Sequence, residues 1–577
     1  MKGLSRQRKR VKVILGALLA LVLTAFTIAK GDLFEIGKNI EIFSALYKQV
    51  NLHYVEKVDA DILMKKGIDA MLEELDPYTE FIPESALEDF RLKYVNTQYG
   101  GLGAEVWATK AGQVIVAEIF EGYAAHRFGL HVGDEILAVD GIPVYGKEPE
   151  DISHLLKGSE GSIVRLKIRD SKSATIKELA ITRDRIVQPN VSYSSLLAGN
   201  IGYIKLDKFL SGAAEEMHEA IIDLHRQSRL NGLILDLRDN GGGILQESVK
   251  IVNLFVNQGE KVVTQKGKDP DNIFTYITST QALVPHLPLV VLINENSASA
   301  SEIVAGALQD MDRAVIIGER SFGKGLVQQT YRLPFNNMVK VTVAKYYTPS
   351  GRCIQALDYA HKDKKGQAIK VEDSLAAEFT TKMGRKVYDG NGIYPDIEIS
   401  KDRSAAIVRT LNKQLLIPTY ATNYYNRHIH IEDAANFRLT DNEYQDFLNF
   451  LSTQDVAYSS RSARVFSHLK KIIEAEELSD DVVSELEAVK LKILAQEQRA
   501  LLLYKDEIKA ALETEIVSRY YYQKGKYAYT LKRDDGIVKA QEVLQPKSKL
   551  VYQQILSGKG QYGIIGKPGI HLAAVAK

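Results

Sequence analysis

Three short stretches carry residue types that could do chemistry together. "NSASASE" ends at Glu302 and puts Ser299 at the start of a helix-like run. A serine there sits beside backbone N–H groups that lack helical partners, and such groups can hold an oxyanion. The same letters, Ser299 to Glu302, also fit an S-x-x-E capping box. "DLRDNGGG", Asp236–Gly243, comes directly after a strand-like run. Its glycines allow close backbone approach, either as a plain turn or as N–H groups aimed at a substrate. "GERSFGKGL", Gly318–Leu326, sets Lys324 between two glycines, 25 residues after Ser299.

The lysine stretch nearly matches a phosphate loop. However, Gly325 stands where a Ser or Thr would bind Mg²⁺, and "LVQQTYRLPFNNMVKVTVAKYY" reads as a hairpin rather than the helix that would receive phosphates. Nucleotide binding is therefore disfavoured. A nucleophilic serine needs a base, and no histidine lies in these stretches. His218 and His225 fall on a predicted helix over 213–228, where a solvated face explains them. Lys324 is the available base. It can act only when neutral, which burial beside Phe322 and Leu326 would favour. One cysteine, Cys353, excludes an internal disulfide and a multi-cysteine metal site. His428 and His430 are poorly spaced for ligation and read as loop residues. Neither metal nor cofactor is expected.

The surrounding elements must position these residues. Residues 31–95 show apolar spacing of helices. Glycines and strand patterns occupy 96–186. From 187 to 400, strands such as "LILDL" and "LVVLI" alternate with helices. Their unbroken apolar runs suit strands covered on both faces, as in an α/β domain. "HKDKKGQAIKVED" reads as a surface loop. Residues 401–577 are strongly helical, with Leu486, Val489, Ile493 and Ala500 on one face and no evident catalytic set, so packing or assembly is the expected role. The fold class is multidomain, α/β and α+β.

The strand-rich unit resembles a PDZ domain. The resemblance rests on Gly101-Leu102-Gly103-Ala104, on Gly129-Leu130 with Val132-Gly133-Asp134, and on Asp140-Gly141. The N–H groups of Leu102, Gly103 and Ala104 would then hold a terminal carboxylate. An apolar last residue would sit beside a helix containing Ile152 and Leu155.

Ser299 in "NSASASE", Lys324 in "SFGKGLVQ", the upstream "DLRDNGGG", and "YYTPSGRCIQ" with "GIYPDIEI" downstream together resemble the C-terminal (tail-specific) processing peptidases, over roughly residues 35–400. The resemblance implies a PDZ domain beside a serine–lysine protease core. By position, Ser299 would be the nucleophile, Lys324 the general base and Gln328 the residue that orients it. The N–H groups of Gly243 and Ala300 would be the oxyanion donors. Gly241 departs from the family, where many members have proline. The competing expectation is a PDZ adaptor with an inactive protease core.

The first thirty residues differ in character. Six basic residues precede Val13–Ala29, seventeen residues without a charge. That length is at the short end of the ~17–25 that span a bilayer, so a signal peptide and a membrane anchor both fit. Either one exports the chain beyond Lys30, to the periplasm or the outer side of the cytoplasmic membrane. The net charge of +1 gives no reason to expect nucleic acid. The expected partners are protein or peptide substrates with free C-termini and the membrane, with self-association into a homo-oligomer left open.

Overall fold

The computed structural model describes residues 34–453, except 96, 110–111, 270, 365, 373–374 and 400–405. It also describes scattered positions from 465 to 492, and residues 499–559. Residues 1–33, with the basic segment and Val13–Ala29, lie outside the described residues, as does Ile493. Among the described residues no helix is long and apolar enough to cross a membrane. The chain divides into two compact units, Met1–Phe81 and Ile82–Lys577.

In the first unit a helix covers 34–53 and a second spans Ala60–Glu73. Asp59 caps the second helix by accepting the Ile62 N–H at 3.0 Å.

In the second unit the PDZ-like sheet runs in spatial order Ala104–Ala108, Val114–Ile119, Glu135–Val139, Ile163–Arg169 and Ile176–Thr182. Ile163–Arg169 alternates buried and exposed residues, as expected of a strand with one face on a core. The strand Ala104–Ala108 is at the sheet's edge.

The protease-like core is a six-stranded sheet. Val191–Leu197 pairs antiparallel at one edge. Ile201–Leu206, Gly232–Asp236, Leu289–Ile293, Val315–Gly318 and Ile397–Glu398 continue it in parallel. The crossover helices Ala213–Gln227, Leu245–Asn253 and Ala300–Asp310 all pack on one face, against Ile204, Leu235, Val291 and Ile316. Every residue of Ala300–Asp310 is buried. At its far end, Asp310 and Arg352 form a fully buried ion pair at 2.8 Å.

The opposite face carries Tyr203, Ile234, Val290, Leu292 and Ile317. It is covered by the C-terminal helices Asp535–Leu544 and Lys549–Leu556 through Ile537, Ala540, Val543, Leu544, Tyr552 and Ile555. Packing therefore does not stop at residue 400. The last helices close the same sheet, because strands apolar on both sides must be covered on both sides. Helices Leu416–Arg427 and Lys505–Thr530 form a separate apolar cluster. The lysine-rich stretch read as a loop is instead a short hairpin, Leu357–Lys362 with Ala368–Lys370.

Candidate active site

The three chemical stretches leave the C-terminal ends of three adjacent parallel strands. Asp236 leads into the glycine loop, Ile293 into the serine turn and Gly318 into the lysine loop. In open parallel sheets this is the end where ligands bind.

Ser299 sits at the start of helix Ala300–Asp310 with φ 56° and ψ −113°. For a residue with a Cβ this conformation costs about 1–3 kcal/mol and persists only where neighbours impose it. Here they do. The Ser299 N–H donates to Glu302 Oε2 at 2.8 Å. Its carbonyl accepts the Glu302 and Ile303 N–H groups, both at 2.9 Å, and the Tyr346 hydroxyl at 3.1 Å. The backbone is pinned while the residue itself stays partly exposed.

Glu302 is fully buried and holds two loops at once. Oε1 accepts the Ser321 hydroxyl at 2.5 Å and the Gly323 N–H at 2.7 Å. Oε2 accepts the Lys324 N–H at 2.9 Å as well as that of Ser299. Burial pushes this carboxyl above its ordinary pKa, and the four donors oppose that shift. The sequence offered Glu302 only as a helix cap. Its reach to the lysine loop was not legible, because the partners lie 19 to 22 residues on. Ser301 donates from Oγ to the Asn240 carbonyl at 2.8 Å.

That bond ties the glycine loop to the serine turn. The Asn240 carbonyl also accepts the Ala298 N–H at 3.0 Å, and its side chain donates to the Leu206 carbonyl at 2.7 Å. Gly242 has φ 94°, and a Cβ there would lie 2.8 Å from both the Ala300 nitrogen and Ser299 Cβ. Gly243, at φ 154°, bridges to Phe209, whose carbonyl a Cβ would meet at 2.5 Å. That carbonyl already accepts the Ile244 N–H. Only glycine lets this loop approach the turn so closely. The glycines of this loop were legible in the sequence, but the roles of Asn240, Ser321 and Tyr346 were not.

Lys324 is partly buried between Gly323, at φ 88°, and Gly325. Its loop is fastened by Phe322 N–H to the Ser297 carbonyl at 3.0 Å and by Gly325 N–H to Gln355 Oε1 at 2.8 Å. Gln328 lies on the strand Leu326–Arg332, and its amide donates to Thr342 Oγ1 at 3.2 Å. His218 and His225 lie on helix Ala213–Gln227, half-buried and exposed respectively.

In the PDZ-like unit the Leu102 carbonyl accepts the Ala125 N–H at 2.7 Å, and the Gly103 carbonyl accepts the Phe120 N–H at 2.8 Å. In a trans peptide the N–H points opposite the carbonyl. The Gly103 and Ala104 N–H groups therefore face away from these bonds, at the open edge of the sheet. Ile152 requires a correction. It is fully buried in the PDZ core with Leu156, one helical turn on, so it offers no exposed surface to a tail. Leu155, on the adjoining face, is half-buried.

Comparison with known proteins agrees with this arrangement. Residues 200–365 match the family model Peptidase family S41, residues 115–170 match PDZ domain, and residues 407–544 match Probable PDZ-protease, C-terminal helical domain. A "Probable CtpA-like serine protease" of Staphylococcus aureus strain COL is 35% identical over 320 residues, 55% of this chain and 62% of that one. Its counterpart in Staphylococcus epidermidis strain ATCC 12228 is 34% identical over 324 residues, 56% and 64% of the two chains. The match thus spans less than two thirds of these relatives' length. Among solved structures, a photosystem II D1 C-terminal processing protease is 27% identical, covering 63% of this chain and 93% of that chain at a TM-score of 0.32. The serine turn and the lysine loop thus lie inside the segment that matches peptidase family S41, with the PDZ-domain match before that segment and the helical-domain match after it.

Proposed function

We propose that this chain is a serine endopeptidase that uses a Ser299–Lys324 dyad. One observation carries the reading: the single carboxylate of Glu302 fixes the backbone of both residues, and the glycine loop is drawn against the same turn. Ser299 Oγ attacks the scissile carbonyl as neutral Lys324 takes its proton. The carbonyl oxygen, now negative, is received by the N–H groups of Gly243 and Ala300. Lys324 then returns the proton to the departing amine. Water, activated by the same lysine, releases the acyl group from Ser299. Gln328 would steady Lys324 from the adjoining strand.

The PDZ domain selects substrates by their free C-termini. The carboxylate meets the N–H groups of Leu102, Gly103 and Ala104, and the tail adds as a strand beside Ala104–Ala108. The basic N-terminal flank ahead of Val13–Ala29 supports an exported protein, held at or released from the cytoplasmic membrane.

The test is degradation of an unfolded protein by the full chain, without ATP or added metal. Ser299→Ala should abolish it. Lys324→Arg should too, because a guanidinium stays protonated. Retention of most activity by either variant would refute the dyad. For location, protease added to spheroplasts should reach the catalytic domain; protection until lysis would refute export.

A further inference from the structure

Arg238 lies between the core sheet and the oxyanion loop. It comes after the strand Gly232–Asp236 and precedes Asn240 by two residues. Its guanidinium is shared by two carboxylates. Nη2 bonds Asp236 Oδ2 at 2.6 Å, and Nε bonds Asp236 Oδ1 at 3.0 Å. Nη1 bonds Asp534 Oδ2 at 2.7 Å. Asp534 comes from the helical region, 296 residues later, and its other oxygen caps helix Asp535–Leu544 by accepting the Ile537 N–H at 3.0 Å. A Cβ on Gly536, at the start of that helix, would lie 3.5 Å from Arg238 Nη1. The ion pair is three-quarters buried on both sides.

We infer that Asp534 is a positioning residue for the oxyanion loop, so that the C-terminal helices form part of the catalytic apparatus and are not a separable extension. The inference rests on the reading of Ser299 as nucleophile and Gly243 as oxyanion donor. On one side, residues 237–240 are bonded to the serine turn: Leu237 carbonyl to Ser297 Oγ at 2.8 Å, Asp239 N–H to Asn294 Oδ1 at 2.9 Å, and Asn240 carbonyl to Ala298 and Ser301. On the other side, Arg238 is gripped by Asp534. The turn is held between the two, and Gly243 lies five residues along it. Oxyanion donors must sit within about 2.7–3.1 Å of a charge that forms only during reaction. A displacement of about 1 Å can cost on the order of a hundredfold in rate. Asp236 alone leaves the Arg238 side chain attached to its own strand, whereas Asp534 joins it to the C-terminal helices.

The experiment separates positioning from folding. Asp534→Ser keeps a capping oxygen but is too short to reach Arg238, Asp534→Asn keeps the cap without the charge, and Asp534→Glu keeps the charge. Val543→Ala loosens the same helix's packing away from Arg238. With the full chain and an unfolded protein substrate, Asp534→Ser and Asp534→Asn should lower kcat about tenfold with KM within about twofold, and Asp534→Glu should recover part of the loss. Val543→Ala should lower Tm and keep kcat. Independently of turnover, amide hydrogen exchange at residues 239–243 should accelerate in Asp534→Ser and not in Val543→Ala. Unchanged exchange in Asp534→Ser, or equal acceleration in both variants, would overturn the inference. A Ser299→Ala chain that still cleaves would overturn the dyad alone, because the exchange result stands by itself.

Discussion

One oxygen of Glu302 accepts the N–H of Ser299 at 2.8 Å and the N–H of Lys324 at 2.9 Å, joining the two chemical residues through their backbones. Replacing Glu302 by glutamine puts an NH₂ where donors already converge and leaves about two of the four donors unsatisfied. Each unsatisfied buried group costs about 1–3 kcal/mol. Glu302→Gln should lower Tm and reduce kcat/KM by about a hundredfold or more, read by melting and by substrate cleavage. Cleavage within twofold of the unaltered chain would show that the clamp is dispensable.

Gly242 and Gly241 should respond very differently to a methyl group. At Gly242 a Cβ would meet the Ala298 carbonyl oxygen at 2.6 Å and the Ala300 nitrogen at 2.8 Å, with φ at 94°. Gly242→Ala should cost about 1–3 kcal/mol of stability and most of the activity. At Gly241 a Cβ meets nothing within 4 Å. Gly241→Ala should keep activity within about twofold, measured beside Gly242→Ala in one cleavage assay. Equal behaviour of the two would contradict the close approach of loop and turn.

The proposed dyad predicts a pH dependence: Lys324 would accept the serine proton only after losing its own, so kcat should rise with pH as the ammonium deprotonates. A rate that falls steadily from about pH 6 to about pH 9, with the fold intact by circular dichroism, would exclude a lysine base.

Tail selection has its own measurement. An amide in place of the terminal carboxylate removes the charge that the Gly103 and Ala104 N–H groups would meet. Charge-assisted hydrogen bonds are worth about 1.5–3 kcal/mol, so binding should weaken roughly ten- to a hundredfold. One unfolded substrate with a free apolar tail, an amidated tail or a charged tail makes the comparison. Equal cleavage of all three would mean that the PDZ domain does not choose tails.

The residue types and their local neighbourhoods were readable from the sequence because each depends on short range. The serine before a buried helix, the lysine between glycines and the glycine run after a strand are local patterns. The unbroken apolar strands likewise announced a sheet covered on both faces. The identity of the cover on the second face was not readable. Ile537, Val543 and Tyr552 reach Ile234, Val290 and Leu292 only after the chain has returned from a distant helical region, and hydrophobic matching carries no address. The convergence of Glu302 on Ser321, Gly323 and Lys324, and of Asp534 on Arg238, was equally hidden. A carboxylate in a sequence shows its charge but not its partners. Those were decided when the parallel strands brought their C-terminal ends together and excluded water there, leaving each buried oxygen to be satisfied by whichever donors the fold had placed within reach.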